Sequence, residues 1–163
     1  MSTAALIYRS DHATGKKQMP TPSGPEVVNV LTSLTMTAAQ TDALAANDII
    51  VMGYLPENCA FVDAICAFTN GTLDSGNAMD LDFGIVADDE ADFVASTGEL
   101  QNSILVAGTT NLARVTMTEE MLTTNTAGNT RKKLGFKVAT AAGAAGAGTI
   151  YMTLSYRAVS FGA

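Results

Sequence analysis

The sequence predicts an all-β protein folded as an antiparallel β-sandwich, and three observations carry that expectation. Apolar and polar residues alternate with period two over several separate stretches. Turn-forming pairs such as Asn47-Asp48 and Asn70-Gly71 punctuate those stretches at short intervals. Helical periodicity is confined to a few residues, so about seven or eight strands with one or two short helices are expected.

The elements follow in chain order. Residues 1–25 hold Pro20, Pro22 and Pro25, two glycines and no sustained period, which predicts an extended N-terminal arm ahead of a sandwich domain at 26–163. The lone histidine, His12, lies in that arm and is expected to be solvated. Val28, Val30, Leu34 and Met36 mark a first strand. Ile49–Leu55 is a buried β run closed by Pro56, and 60–69 is the next strand. The clearest strand is 78–86, with Met79, Leu81, Phe83 and Ile85 facing inward and Asp80, Asp82 and Gly84 outward. The acidic run from Asp88 to Ser96 suits the start of a short helix, and 98–108 reads equally as helix or strand. Strands at 112–118, 133–139 and 149–158 complete the set. No internal repeat points to a solenoid or propeller.

Composition narrows the function classes. The 163 residues fit one domain. Charged residues make up 15%, well under the usual value of about 25%, and the formal net charge of −7 argues against a basic nucleic-acid binder. No apolar run approaches the roughly 18 to 20 residues of a membrane span, and the opening residues lack the pattern of a secretory signal. The charge is segregated. No Lys or Arg lies between Lys17 and Arg114, while 13 of the 16 acidic residues lie between Glu26 and Glu99. Either acidic and basic segments meet between molecules, steering their orientation, or folding interleaves them within one.

The chemical motifs are weak. Cys59 and Cys66 are seven apart, which on a regular strand puts them on opposite faces roughly 23 Å apart. That is too far for a disulfide, and with one His they make no zinc site. They read as small buried hydrophobes. Gly143 to Thr149 has the outline of a phosphate loop without its Lys or following helix, so a small-residue hairpin loop is expected. Asp80, Asp82, Asp88, Asp89, Glu90 and Asp92 offer either a cation site or a solvated acidic surface; the surface is the simpler reading. Nucleophilic catalysis lacks a base and a nucleophile elbow, and the absence of Trp counts against sugar binding. No catalytic residue, cofactor or metal ligand is assigned.

Several of these segments resemble the small virion proteins of tailed bacteriophages. The stretch Asn47-Asp-Ile-Ile-Val-Met-Gly-Tyr-Leu-Pro56 followed by Cys59-Ala-Phe-Val-Asp63 is similar to a strand pair in that family. So are the Asp74-Ser75-Gly76 turn, the strand Leu81-Asp82-Phe83-Gly84-Ile85, and the closing Gly148-Thr-Ile-Tyr-Met-Thr-Leu-Ser-Tyr156-Arg157. The resemblance covers roughly Asp48 to Arg157, and the segment before residue 26 has no counterpart in it. It implies a capsid decoration (cement) protein or related head protein with a jelly-roll-like sandwich, often trimeric, on the virion surface.

The expected partners are therefore further copies of the chain, a trimer being favoured, and the major capsid protein, with no nucleic acid and no membrane. Synthesis is expected in the host cytoplasm. The arm, through Tyr8, Arg9, Lys16 and Lys17, is expected to reach a neighbouring subunit or the capsid protein, ordering on contact. The alternative is a receptor- or glycan-binding module of a phage fibre or tail. A small hydrolase using Asp80 and Asp82, roughly 6 to 7 Å apart along a strand, is the third and weakest reading.

Overall fold

Each strand here forms because one face carries residues that must leave water, and the two sheets form because those faces need a partner. A computed structural model describes residues 7–22, 26–69, 73–94, 99–106, 111–114 and 131–158. Among them the strands are β1 (Ile7–Arg9), β2 (Val27–Met36), β3 (Ile49–Leu55), β4 (Cys59–Thr69), β5 (Asp80–Val86), β6 (Glu99–Leu105), β7 (Asn111–Arg114), β8 (Lys132–Thr140) and β9 (Gly148–Ala158). One sheet has the order β1-β3-β8-β5-β6 and the other β2-β9-β4-β7. The pairing is nested: β2 with β9, β3 with β8, β4 with β7, β5 with β6. All pairs are antiparallel except β1–β3, which is parallel.

The expected all-β sandwich is therefore present, with differences of placement. Among the described residues the helix is α1 (Ala38–Asp42), where Thr37 and Gln40 form a reciprocal capping box. The run after Asp88 is instead a turn that folds back on the sheet, with Ala87 N–H donating to Asp92 O and a bridge between Val86 and Phe93. Acidic residues suit a helix start, but here Phe93 returns to cover Val86, Ile49 and Val51. The undecided stretch at 98–108 contains strand β6. The strand expected at 112–118 lies partly outside the described residues, and the Asn70-Gly71 turn lies wholly outside them.

The described part of the N-terminal segment, 7–22, lies along the sandwich and does not stand off it. Ile7–Arg9 add to the edge of β3, Ser10 Oγ donates to Met52 O, and Met19 sits in the core. Farther on, Tyr156 Oη donates to Pro20 O. His12 is buried, against the expectation that it is solvated. It lies close to Gly53 of β3, which has no side chain to push it out.

Between the sheets, phenylalanines form a continuous chain. Phe61 and Phe83 have ring centroids 6.5 Å apart, Phe83 and Phe136 5.6 Å, and Phe136 and Phe68 6.2 Å. Phe61 and Phe68 come from β4, Phe83 and Phe136 from the opposite sheet. Phe61 and Phe68 are seven residues apart, an odd offset that a regular strand splits between its faces. A register shift between Phe61 and Asp63 inserts one extra residue and turns both inward. The same bulge corrects the expectation for the cysteines: Cys59 and Cys66 both face the core, free and buried. A second bulge lies in β3 between Val51 and Gly53, where a Cβ at Gly135 would stand 2.2 Å from Ile50 O, so only glycine fits.

Phe83→Ala is expected to cost about 3 to 5 kcal/mol, measured by urea unfolding. Gly135→Ala is expected to cost about 1 to 3 kcal/mol by forcing β3 and β8 apart. Burial pushes the Cys66 thiol up to about 12, so neither cysteine is expected to react with a thiol reagent at neutral pH until denaturant is added.

Candidate assembly surfaces

The outer face of the five-stranded sheet gathers charge from distant parts of the chain. Arg9 of β1 and Lys133 of β8 both reach the Glu90 carboxylate, at 2.5 Å and 2.7 Å. Glu90 has a left-handed backbone (φ 57) that turns the chain at this point. Burial pushes its pKa up, and the Lys133 and Arg9 bonds more than offset that, leaving it below the usual value. Lys137 pairs with Asp92 at 3.1 Å and lies over the Phe93 ring. On the other sheet Arg114 pairs with Asp63 at 2.7 Å. These four pairs join the acidic block at 26–99 to basic residues outside it. Folding therefore interleaves the segregated charges inside one molecule.

The acidic cluster is accordingly divided. Asp82 and Glu90 are buried, which corrects the expectation of a solvated acidic surface. Asp82 stands opposite Lys137 in the β5–β8 register. Asp88 and Asp89 stay exposed on the turn. Among the described residues no three His, Cys, Asp or Glu side chains gather as metal ligands.

The four residues singled out in the N-terminal segment do not form one surface. Tyr8 and Arg9 are neighbours on β1 and point to opposite faces. Tyr8 packs against the core and donates to Gln40 O at 3.3 Å, while Arg9 is held by Glu90. Lys16 and Lys17 are exposed on the turn after β1. Lys16 is loosely paired with Asp11 at 3.7 Å.

Sequence reasoning missed Asp74, which organises one end of the sandwich. Its buried carboxylate accepts from the N–H groups of Gly76 (2.8 Å), Ala78 (2.6 Å), Met79 (2.6 Å) and Ala144 (2.8 Å). Burial pushes its pKa up, and these donors reverse the effect and hold it well below the ordinary carboxylate range. The Ala/Gly-rich loop before β9 thus supplies an N–H group to an anion of its own chain. It is not a hairpin tip: it carries the chain from β8 in one sheet to β9 in the other. Gly76 is needed because a Cβ there would lie 2.9 Å from the Ala144 nitrogen. The signal was present, since Asp-Ser-Gly is an Asx-turn pattern.

The outer face of the four-stranded sheet is different in kind. Along β2 the residues Val27, Asn29, Leu31, Ser33 and Thr35 point out, and β9 adds Thr153 and Ser155 beside them. Val27 and Leu31 are large exposed hydrophobics, joined by Ile65 of β4. No helix of the described residues is long and apolar enough to cross a membrane.

The chain is similar over 96% of its length to a chain of the capsid of Ralstonia phage GP4, all of which it covers, at 27% identity and a TM-score of 0.78. A chain of the cyanophage Pam1 capsid asymmetric unit aligns more loosely, with a TM-score of 0.48 and 15% identity over 89% of this chain and 96% of that one. These structural neighbours are phage capsid proteins. No protein-family profile and no curated protein sequence matches the chain.

Three titrations set the expected pH dependence. Burial and the nearby Lys17 lower the pKa of His12, with Asp11 opposing them, so its neutral form belongs to the fold. Its share of stability is complete above the unfolded value of about 6.5 and is lost as pH falls below it. Asp74 and Glu90 have lowered folded-state values, so their share is complete above the unfolded carboxylate range near about pH 4 and declines below it. Unfolding free energy is therefore expected to fall in two stages on acidification. His12→Gln removes the upper stage. Asp74→Asn, which turns an NH2 group toward N–H donors, is expected to cost on the order of 3 kcal/mol at neutral pH.

Proposed function

We propose that this chain is a structural protein of a tailed-phage virion, a decoration or cement protein that binds the outside of the head and stabilises it through oligomeric contacts. The observation that carries this reading is the whole-chain likeness to a phage capsid chain, which leaves no part of that chain unmatched. The nested strand pairing supports a jelly-roll wiring for the sandwich. The charge pattern supports a passive role as well. Among the described residues, Asp63, Glu90 and Asp92 are held by arginine or lysine and Asp74 by backbone N–H groups, as befits carboxylates that fasten a scaffold.

In this reading the chain is made in the host cytoplasm and assembles as a homo-oligomer, a trimer being favoured. It docks on the major capsid protein without nucleic acid or membrane as partner. The N-terminal segment contributes through Lys16 and Lys17, which are exposed on their turn, while Tyr8 and Arg9 fasten that turn to the sandwich. Such rim charges act mainly on association rate and salt dependence.

Purified particles of the encoding phage are expected to contain the chain in a fixed stoichiometric ratio to the major capsid protein. A few copies per particle would instead point to a fibre or tail module. Charge reversal of Lys16 and Lys17 together (Lys16→Glu, Lys17→Glu) is expected to slow binding to undecorated capsids at low salt without altering the melting temperature. Unchanged binding would remove these residues from the contact.

A further inference from the structure

The described residues end the two sheets on four edges, and three of them are guarded. β1 is three residues long and carries the ion-paired Arg9. β7 is four residues long and carries Arg114. β6 begins at Glu99 and meets β5 through register shifts that break its regularity. Short length, charge and bulges are the means by which sheet edges avoid pairing with other chains.

β2 has none of them. It is 10 residues long, Val-Val-Asn-Val-Leu-Thr-Ser-Leu-Thr-Met, with no charge and no proline. Its register along β9 runs unbroken from Val27 to Met36. Among the described residues no strand pairs with its other side. At its middle, Leu31 is 58% exposed, and Val27 near one end is 49% exposed. A half-row of backbone N–H and C=O groups thus faces outward, beside an apolar side chain.

We propose that this edge is closed by β2 of a second copy of the chain, antiparallel and centred on Leu31. Antiparallel pairing keeps inward and outward faces matched only if opposed residues have the same parity. Centring on Leu31 meets that condition. Leu31 then faces Leu31 of the other copy, Asn29 faces Ser33, Val27 faces Thr35, and on the inner face Val30 faces Thr32.

A two-fold axis sets each side chain against its own symmetry mate or a near neighbour, so one charge at the centre would repel itself. This strand carries no charge along its whole length. The outer-face row also continues without interruption. Ile65 lies beside Thr153, and Thr153 beside Leu31, so the joined sheet would run Ile65, Thr153, Leu31 and then the same residues of the second copy in reverse.

This contact is isologous, whereas a trimer closes through a heterologous one. It therefore adds to the proposed oligomer and does not replace it, and it is testable without a capsid. Leu31→Cys is expected to form a disulfide-linked dimer under mild oxidation, since opposed residues of an antiparallel pair lie within bonding reach. The native cysteines are buried and do not compete. Asn29→Cys and Ser33→Cys are each expected to stay unlinked alone and to cross-link when mixed, a pattern that reports the register. Leu31→Lys is expected to weaken self-association by at least about tenfold in sedimentation velocity, with an unchanged melting temperature. Absence of a Leu31→Cys dimer, self-linking of Asn29→Cys, or wild-type association of Leu31→Lys would each overturn the proposal. So would linking of Leu31→Cys to capsid protein in place of itself. The self-association outcomes leave capsid binding untouched, and a cross-link to capsid protein would overturn this pairing while supporting the proposed role on the capsid.

Discussion

The two sheets are held face to face by one column of rings, and that column sets a demand on strand geometry that much of the molecule serves. Phe61 and Phe68 must both point inward from β4 to meet Phe83 and Phe136. An odd spacing forbids that on a regular strand, and the bulge after Phe61 removes the conflict. The bulge also brings Cys59 and Cys66 into the core. It leaves Asp63 on the outer face, where it accepts Arg114 from the neighbouring strand. The bulge in β3 acts similarly, and Gly135 leaves the space that the shifted backbone occupies.

At one end of the sandwich the strands are held by an anion and not by rings. The Asp74 carboxylate draws together the turn before β5 and the loop before β9, which belong to different sheets. Four N–H groups that would otherwise need water are satisfied by one buried side chain. The outer face of the five-stranded sheet follows the same logic with charges of opposite sign. Glu90 holds Arg9 from the start of the chain and Lys133 from near its end, and the Phe93 turn closes over the aliphatic residues beside them.

These devices leave an unequal surface. Charge is largely consumed on the face where β1, β3, β5 and β8 meet, and the opposite sheet presents short polar and β-branched side chains with a few exposed hydrophobics. Such a surface has much to offer a neighbouring backbone. The proposed role in a phage capsid, where the product of the protein is an interface, agrees with that distribution.

Period-two alternation was enough to locate most of the strands, because a strand with one face in the core repeats that pattern whatever its partners are. Ile49–Leu55 is a strand with those bounds, and β8 and β9 lie within one residue of their expected limits. The turns at Asn47 and Asn58 were likewise local matters, each with a left-handed backbone that asparagine tolerates. What alternation does not encode is which strands meet. The three residues of β1 are too few to show a period, and their place beside β3 comes from the tertiary packing that buries His12 and Met19 and half-buries Tyr8. Parity across a bulge, the pairing of Glu90 with Arg9 and Lys133, and the service of the Ala/Gly loop to Asp74 all join residues far apart in sequence. Local pattern determined the strands. Long-range contact alone decided which charges remain for a partner, because a charge is available only when the fold has not already neutralised it.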